Sequence, residues 1–266
     1  MWVAAAEARV HEHGSPFEFA VLLMAGCAVL AYVSGVVASR RRGRAWPLYR
    51  VVFWTTGIAS ATASVIGPLA AAAHESFVAH MWAHLLVGML APLLLVSAAP
   101  TTLALRTLDV TPARRLSRLL RSTPTRIVAH PVSAAVLSVG GLWFIYLTPV
   151  VTWSRSNVLI HLVMHAHLLA AGYLFTAALV GLDPRPHPPR RSTMLVVMVF
   201  AFASHGILAK YLYGHPPIGI AASDAEDGAQ VMYYVGAWIE AAVIIVFFAH
   251  WYREVGRRLV IQPSSP

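Results

Sequence analysis

Seven long, mostly apolar stretches limit what this chain of 266 residues can fold into. A helix needs about 20 consecutive apolar residues to cross the hydrocarbon core of a bilayer. Hydrophobic residues make up 58% of the chain and charged residues only 12%, whereas soluble chains average about 25% charged. The sequence therefore predicts an all-α, polytopic membrane bundle that forms a single transmembrane domain over residues 1–266. Its seven predicted spans are Phe17–Ser39, Val51–Ala73, Phe77–Ala99, Val128–Thr148, Val158–Val180, Thr193–Tyr213 and Ala229–Trp251.

The formal net charge of +9 reflects arginines that gather after every second apolar stretch. They are Arg40, Arg41, Arg42, Arg44, Arg50, Arg106, Arg114, Arg115, Arg118, Arg121, Arg126, Arg185, Arg190, Arg191, Arg253, Arg257 and Arg258. The other connections are mostly acidic. Because basic residues stay on the cytoplasmic side, we expect the amino terminus outside, with a polar tail over residues 1–16, and the carboxyl terminus inside, with a tail over 252–266. This alternation indicates contact with membrane lipids and no role in nucleic-acid binding.

Two histidine pairs with a spacing of four residues lie in the third and fifth stretches: His80 with His84, and His161 with His165. Residues four apart share one face of a helix. At a rise of about 1.5 Å per residue, His84, His165 and His205 of the sixth stretch lie at similar depth, below a shallower tier of His80 and His161. Ionisable side chains in hydrocarbon are costly, by about 2.5 kcal/mol or more for charged types. These five residues, the histidine layer, therefore predict a ligand-binding site.

The residues around the histidine layer favour copper, and Cu(I) in particular. Met81 and Met164 adjoin the pairs, and imidazole with thioether suits Cu(I), whereas carboxylate-rich sites suit Mg, Ca or Mn. His74 and Glu75 are further candidates at the predicted mouth of the site. The pairs lack the His-Glu-x-x-His pattern of zinc peptidases, and no carboxylate lies beside them as a general base. We therefore expect a binding protein and not an enzyme.

Other residues receive less specific interpretations. His167 is two residues from His165 and should face away from the layer. Glu240, the one acidic residue deep in the seventh stretch, would pair with an arginine, bond across helices or relay protons. Cys27 is the only cysteine, so an intramolecular disulfide is excluded, and we expect it to pack in the core. Tyr146 and other aromatic residues near the span ends are explained by the belts at membrane surfaces.

Two connections carry local signals. In the connection of residues 100–127, Thr111 can cap a short amphipathic helix that begins at Pro112, with leucines toward lipid and arginines toward headgroups. The connection Gly214–Gly228 is predicted as a loop that carries the acidic residues Asp224–Asp227.

The chain resembles the CtaG-type cytochrome c oxidase assembly factors, a family of bacterial membrane proteins with seven helices. The similarity runs from about Ala70 to Arg253. It is carried by His80-x-x-x-His84-Leu85-Leu86 with Ala91-Pro92-Leu93-Leu94 and Ala99-Pro100, by His161-x-x-x-His165 with Gly172-x-x-Phe175, by Ala203-Ser204-His205-Gly206 with Tyr211, and by the acidic segment Asp224–Asp227.

The resemblance implies a protein that matures the terminal oxidase by supplying copper to its catalytic copper centre, without turnover of its own. It implies the bacterial plasma (inner) membrane as the location and the oxidase catalytic subunit as the partner, with an extracytoplasmic copper chaperone as a further partner. The residues carried over as metal ligands are His80, His84, His161, His165 and His205.

Three alternatives stay open from the residues alone. His84 and His165 can clamp a haem iron from both faces, as in a b-type membrane cytochrome. Layered histidines and methionines also suit a copper transport protein, although no second layer lies near the arginine-rich side. Finally, histidines inside a membrane bundle can serve only as hydrogen-bond partners between helices.

Overall fold

The computed structural model describes residues 16–183 and 189–261, with side chains described as far as residue 256. This part of the chain is helical and contains no β-strand. The described residues leave out most of the predicted tail over 1–16, the end of the tail over 252–266, Arg185, and the side chains of Arg257 and Arg258.

Two π-helical turns, Leu86–Leu90 and Val136–Gly140, each connect two α-helices. The helices are α1 (Pro16–Arg41), α2 (Leu48–Ala63), α3 (Pro68–Glu75), α4 (Phe77–Leu85), α5 (Ala91–Ser97), α6 (Pro100–Thr107), α7 (Val110–Arg121), α8 (Thr123–Val128), α9 (Pro131–Ala135), α10 (Gly141–Leu147), α11 (Val150–Ser156), α12 (Val158–Val180), α13 (Arg191–Gly214) and α14 (Ala222–Ile261).

Six helical segments are long and apolar enough to cross a membrane, and one bent pair brings the number to as many as seven. The bent pair, Pro131–Leu147 and Val150–Ser156, turns by 76° where Thr148 precedes Pro149. A residue before proline is driven out of the helical conformation, and Thr148 is extended. The chain is therefore a multi-pass membrane bundle. The six segments that qualify without the bent pair are Pro16–Arg41, Leu48–Glu75, Phe77–Thr107, Val158–Val180, Arg191–Gly214 and Ala222–Gly256.

The bundle has two chemically different ends. At one, which we call the histidine end, a cavity of about 300 Å³ opens between the start of α1, α3 and the start of α12. At the other, the arginine end, Arg42 lies 3.5 Å from Asp109. There Asp183 accepts hydrogen bonds from the N–H groups of Thr101 and Thr102 at 3.2 and 2.8 Å, so a carboxylate from a distant connection caps α6.

The starts of two helices, α14 and α7, depart from the sequence-based expectation. Helix α14 begins at Ala222, not at Ala229, so Asp224–Asp227 lie in its first turns and not in a loop. Carboxylates there offset the positive end of the helix dipole. Helix α7 confirms the helix predicted after Pro100, but it begins at Val110 with Asp109 as its N-cap, so Thr111 is not the cap.

The third and fifth spans approach each other closely at two glycines. A Cβ atom on Gly172 of α12 would lie only 2.1 Å from the carbonyl oxygen of Gly88 in the first π-helical turn. Small residues allow membrane helices to bring their backbones together in this way. The contact holds the two histidine-bearing segments side by side.

The expectation for Cys27 is wrong. The thiol is exposed on α1, whose described buried residues are Tyr32, Val36 and Ser39, all in its second half. The hydrophobic pattern of α1 could not show this, because a helix that is apolar on all sides has no face marked for the core.

Candidate metal centre

The start of α4, the helix that carries the first histidine pair, is fixed by a residue from the last span. Asp224 accepts hydrogen bonds from the N–H groups of Phe77 and Val78 at 2.6 and 3.3 Å, and the Ser76 hydroxyl donates to it at 3.1 Å. The first N–H groups of a helix have no partner within the helix, and a carboxylate satisfies them. The acidic segment thus positions the histidine helix.

In the deeper part of the histidine layer, His84 and His205 lie beside Glu240, and the three residues come from three different spans. His165, predicted at the same depth, is grouped with His161. The ring centroids of His84 and His205 are 6.2 Å apart. Nδ1 of His205 lies 2.8 Å from Oε1 of Glu240, which is short enough for a hydrogen bond, but the approach is oblique and Oε1 has no aligned donor among the described residues. A buried cavity of about 40 Å³ lies among these three side chains and apolar neighbours.

Several nitrogen atoms of this deeper group have no hydrogen-bond partner in the described part of the chain. They are both ring nitrogens of His84 and Nε2 of His205. The side chains themselves are buried, with residue exposures of 2% for His84 and 4% for His205. Because more than 90% of buried polar groups are paired in proteins, unpaired ring nitrogens mark a position where a water molecule or a ligand is expected.

The shallower part of the layer lies toward the histidine end and combines His74 with the second pair. The rings of His161 and His165 have centroids 4.1 Å apart, and His74 stacks on His161 at 5.2 Å. Nδ1 of His165 lies 2.9 Å from the carbonyl oxygen of His161, so it is the donor nitrogen and Nε2 keeps its lone pair. The side chain of Asn157 caps this helix one turn before His161.

Tyr146 contacts both histidines of the first pair, and sequence reasoning missed it. Its hydroxyl is 3.3 Å from Nε2 of His80 and donates to Sδ of Met81 at 3.8 Å, and its ring centroid is 5.9 Å from that of His84. The assignment of Tyr146 to a surface aromatic belt is wrong, because the residue is buried. Its position near the end of a span did not predict this contact, which depends on the bend between α10 and α11.

The two parts of the layer are near each other. His80 lies in the neighbourhood of His74, His161 and His165, and His84 in that of His80, His165 and His205. The histidines of three spans are therefore neighbours within one interior region.

The other sequence candidates lie apart from the ring nitrogens. Met164 is buried in an apolar cluster, and Glu75 is exposed. His167 faces away from the layer as predicted, and its Nε2 lies 3.1 Å from the carbonyl oxygen of Leu137 in the second π-helical turn. His167 is thus a hydrogen-bond partner between helices.

The arrangement of the histidines favours coordination of a metal ion by two side chains. In the described part of the chain, no group of three or more His, Cys, Asp or Glu side chains is arranged to hold a metal ion. An imidazole nitrogen lies about 2 Å from a bound metal, so two rings on opposite sides of one ion have centroids about 6 Å apart. The 6.2 Å between His84 and His205 fits this two-coordinate geometry, which Cu(I) accepts.

Fold and site together define a multi-pass membrane protein with buried histidines from several spans. The chain belongs to the cytochrome c oxidase caa3 assembly factor family (Caa3_CtaG), whose family model matches residues 30–254. This confirms the resemblance seen in the sequence. The matched range includes the whole histidine layer.

Relatives of the chain occur in mycobacteria. Uncharacterized proteins of Mycobacterium bovis and Mycobacterium tuberculosis are each 37% identical over 197 residues, which cover 69% of this chain and 30% of theirs. One of Mycobacterium leprae is 30% identical over 246 residues, which cover 85% of this chain and 37% of its own. The chain thus spans about a third of the length of these relatives. No solved structure matches it.

Proposed function

We propose that this chain is a copper-binding membrane assembly factor that delivers copper to the catalytic copper centre of cytochrome c oxidase. Membership of the assembly factor family supports the role in oxidase assembly. The observation that carries the copper proposal is the buried ring of His84, neither of whose nitrogens has a hydrogen-bond partner among the described residues. An unsatisfied buried polar group costs about 1–3 kcal/mol, and a bound ion would remove that cost.

The proposed path of the metal begins at the histidine end. The cavity of about 300 Å³ there is lined by His74 and His161, so these two rings would meet an incoming Cu(I) ion first. From His161 the ion would pass to His165 and His80, and then to the pair of His84 and His205. Neutral imidazoles suit copper, and a series of neighbouring ligands permits stepwise exchange.

The methionines have a smaller part in this proposal. Met81 is buried beside the first pair, but its sulfur already accepts the hydrogen bond from Tyr146 and would have to exchange it for a metal. Met164 packs within apolar side chains. Glu75, which is exposed at the histidine end, would serve only in capture of the ion at the mouth.

We propose that all seven segments span a bacterial plasma membrane, with the amino terminus outside and the carboxyl terminus inside. The arginine clusters support this orientation, since positive residues are retained on the cytoplasmic side. The histidine end then faces the extracytoplasmic side, where a copper chaperone could load the site. The catalytic subunit of the oxidase would receive the metal, and the protein would make and break no covalent bond of a substrate.

The size of the deeper cavity argues against a haem at the same place. The cavity beside His84 and His205 has about 40 Å³, whereas pockets for drug-sized ligands and cofactors measure about 300–1,000 Å³. An absorption spectrum of the purified protein tests this directly, because a bis-histidine haem gives an intense Soret band. Copper flux into proteoliposomes would instead indicate a transport protein.

The copper proposal is tested by anaerobic titration of purified protein with Cu(I). We expect about one to two Cu(I) per chain, because the layer contains two histidine pairs, and we expect the double variant His84→Ala/His165→Ala to lose this binding. The matched control is His167→Ala, which removes a histidine of the same span that faces away from the layer. Equal stoichiometry in the double variant and the wild type would refute the proposal.

A further inference from the structure

We propose that Glu240 is a positioning residue that orients His205 so that its Nε2 lone pair faces a copper ion shared with His84. The inference rests on the proposed copper function, which it deepens by assigning a role to the one carboxylate at the deeper part of the layer. Glu240 lines the same buried cavity as both histidines.

The two ring nitrogens of His205 have different surroundings. A neutral imidazole has one N–H donor and one lone pair. Nδ1 lies 2.8 Å from the Glu240 carboxylate, so a small rotation of the carboxyl group would align it with an Nδ1–H donor. The lone pair is then on Nε2, and Nε2 is the nitrogen without a partner among the described residues. Histidines that bind metals almost always donate their other N–H to a carboxylate, a carbonyl or water.

Helix α14 contacts the His205 ring at two places. Gly236 lies one helical turn before Glu240, and a Cβ atom there would be 2.7 Å from Cε1 of His205. The ring therefore lies against bare backbone at Gly236 and beside the carboxylate at Glu240. This close fit restricts the rotation of the ring, so the last span determines the direction in which the ring points.

The cavity between these side chains also has the size that an ion needs. Its volume of about 40 Å³ exceeds the roughly 10–15 Å³ that a single water needs.

The test compares Glu240→Leu and Glu240→Gln with the wild type and with Trp238→Leu, a control on the exposed face of α14. Cu(I) affinity is measured anaerobically against a competing chelator. We expect Glu240→Leu to bind about 10–100-fold more weakly, as is usual when the partner of a ligating histidine is lost. Glu240→Gln should fall between the two, because its amide oxygen still accepts from Nδ1–H but carries no charge.

Nitrogen NMR of histidine-labelled, metal-free protein adds a readout that a merely structural role would not move. We expect the Nδ1–H tautomer of His205 in the wild type and in Glu240→Gln, and its loss in Glu240→Leu. Unchanged affinity and an unchanged tautomer in Glu240→Leu would overturn the role of Glu240 while leaving the copper function intact. Wild-type protein that binds no Cu(I) would instead overturn the copper function. The tautomer of His205 would then have no role in metal binding.

Discussion

The contrast between His84 and His167 shows what decides the role of a single histidine inside a membrane span. Nε2 of His167 lies beside the Leu137 carbonyl oxygen, so this ring already has a partner. Both nitrogens of His84 lack one in the described part of the chain. Helical spacing could predict that the two rings point in different directions. It could not predict that one of them meets a backbone carbonyl, because that carbonyl belongs to a π-helical turn in another span.

The close approach of Gly172 to Gly88 gives a prediction about stability. We expect Gly172→Ala to lower the free energy of unfolding by about 1–3 kcal/mol, because the added methyl group would overlap the Gly88 carbonyl oxygen unless the helices separate. The apparent melting temperature in detergent measures this change. Gly26→Ala is the control, since nothing lies within 4 Å of a Cβ there and alanine favours the helix. Equal melting temperatures for the two variants would contradict the close contact.

Individual helices could be located from the sequence, whereas their ends and breaks could not. The apolar length of a span is a local property that any window of about 20 residues shows. The break between α2 and α3 at Gly67 and the start of α14 at Ala222 depend on the surrounding structure. Asp224 illustrates the reason, because the N–H groups that it satisfies lie almost 150 positions away in the chain.

Removal of the cap on α4 tests the link between this helix end and the metal site. We expect Asp224→Ala to destabilise the protein by about 1 kcal/mol, as for other lost N-caps, and to weaken Cu(I) binding without abolishing it. Thermal unfolding and anaerobic Cu(I) titration provide the two measurements. Asp227→Ala removes an equal charge from the same helix at an exposed position and should change neither. If both variants behave alike, Asp224 acts through charge alone and not as a cap.

The two ends of the molecule differ in their chemistry. The histidine cavity is at one end, and arginines that pair with carboxylates are at the other. At the arginine end, Arg191 pairs with Glu254 and Arg42 lies beside Asp109. Since the spans alternate in direction, the orientation of one span fixes which side of the membrane each end of the bundle faces. The distribution of arginines predicts that side, and the contacts within the bundle are compatible with either orientation.

Reporter fusions test the orientation. We expect green fluorescent protein fused after Pro266 to fluoresce, because it stays in the cytoplasm, and alkaline phosphatase at the same point to be inactive. Phosphatase inserted after Gly219, between α13 and α14, should be active outside the membrane. The opposite pattern would place the histidine layer near the cytoplasmic face and would exclude loading by an extracytoplasmic chaperone.

The sequence by itself determined the membrane class and the number of apolar segments, because hydrophobic length is a local quantity. Only the tertiary structure decided which rings meet. It placed His205 beside Glu240, packed Tyr146 against His80 and His84, and turned Cys27 away from the core. These outcomes depend on how the spans rotate and approach one another, and a span that is apolar all round carries little information about its own rotation.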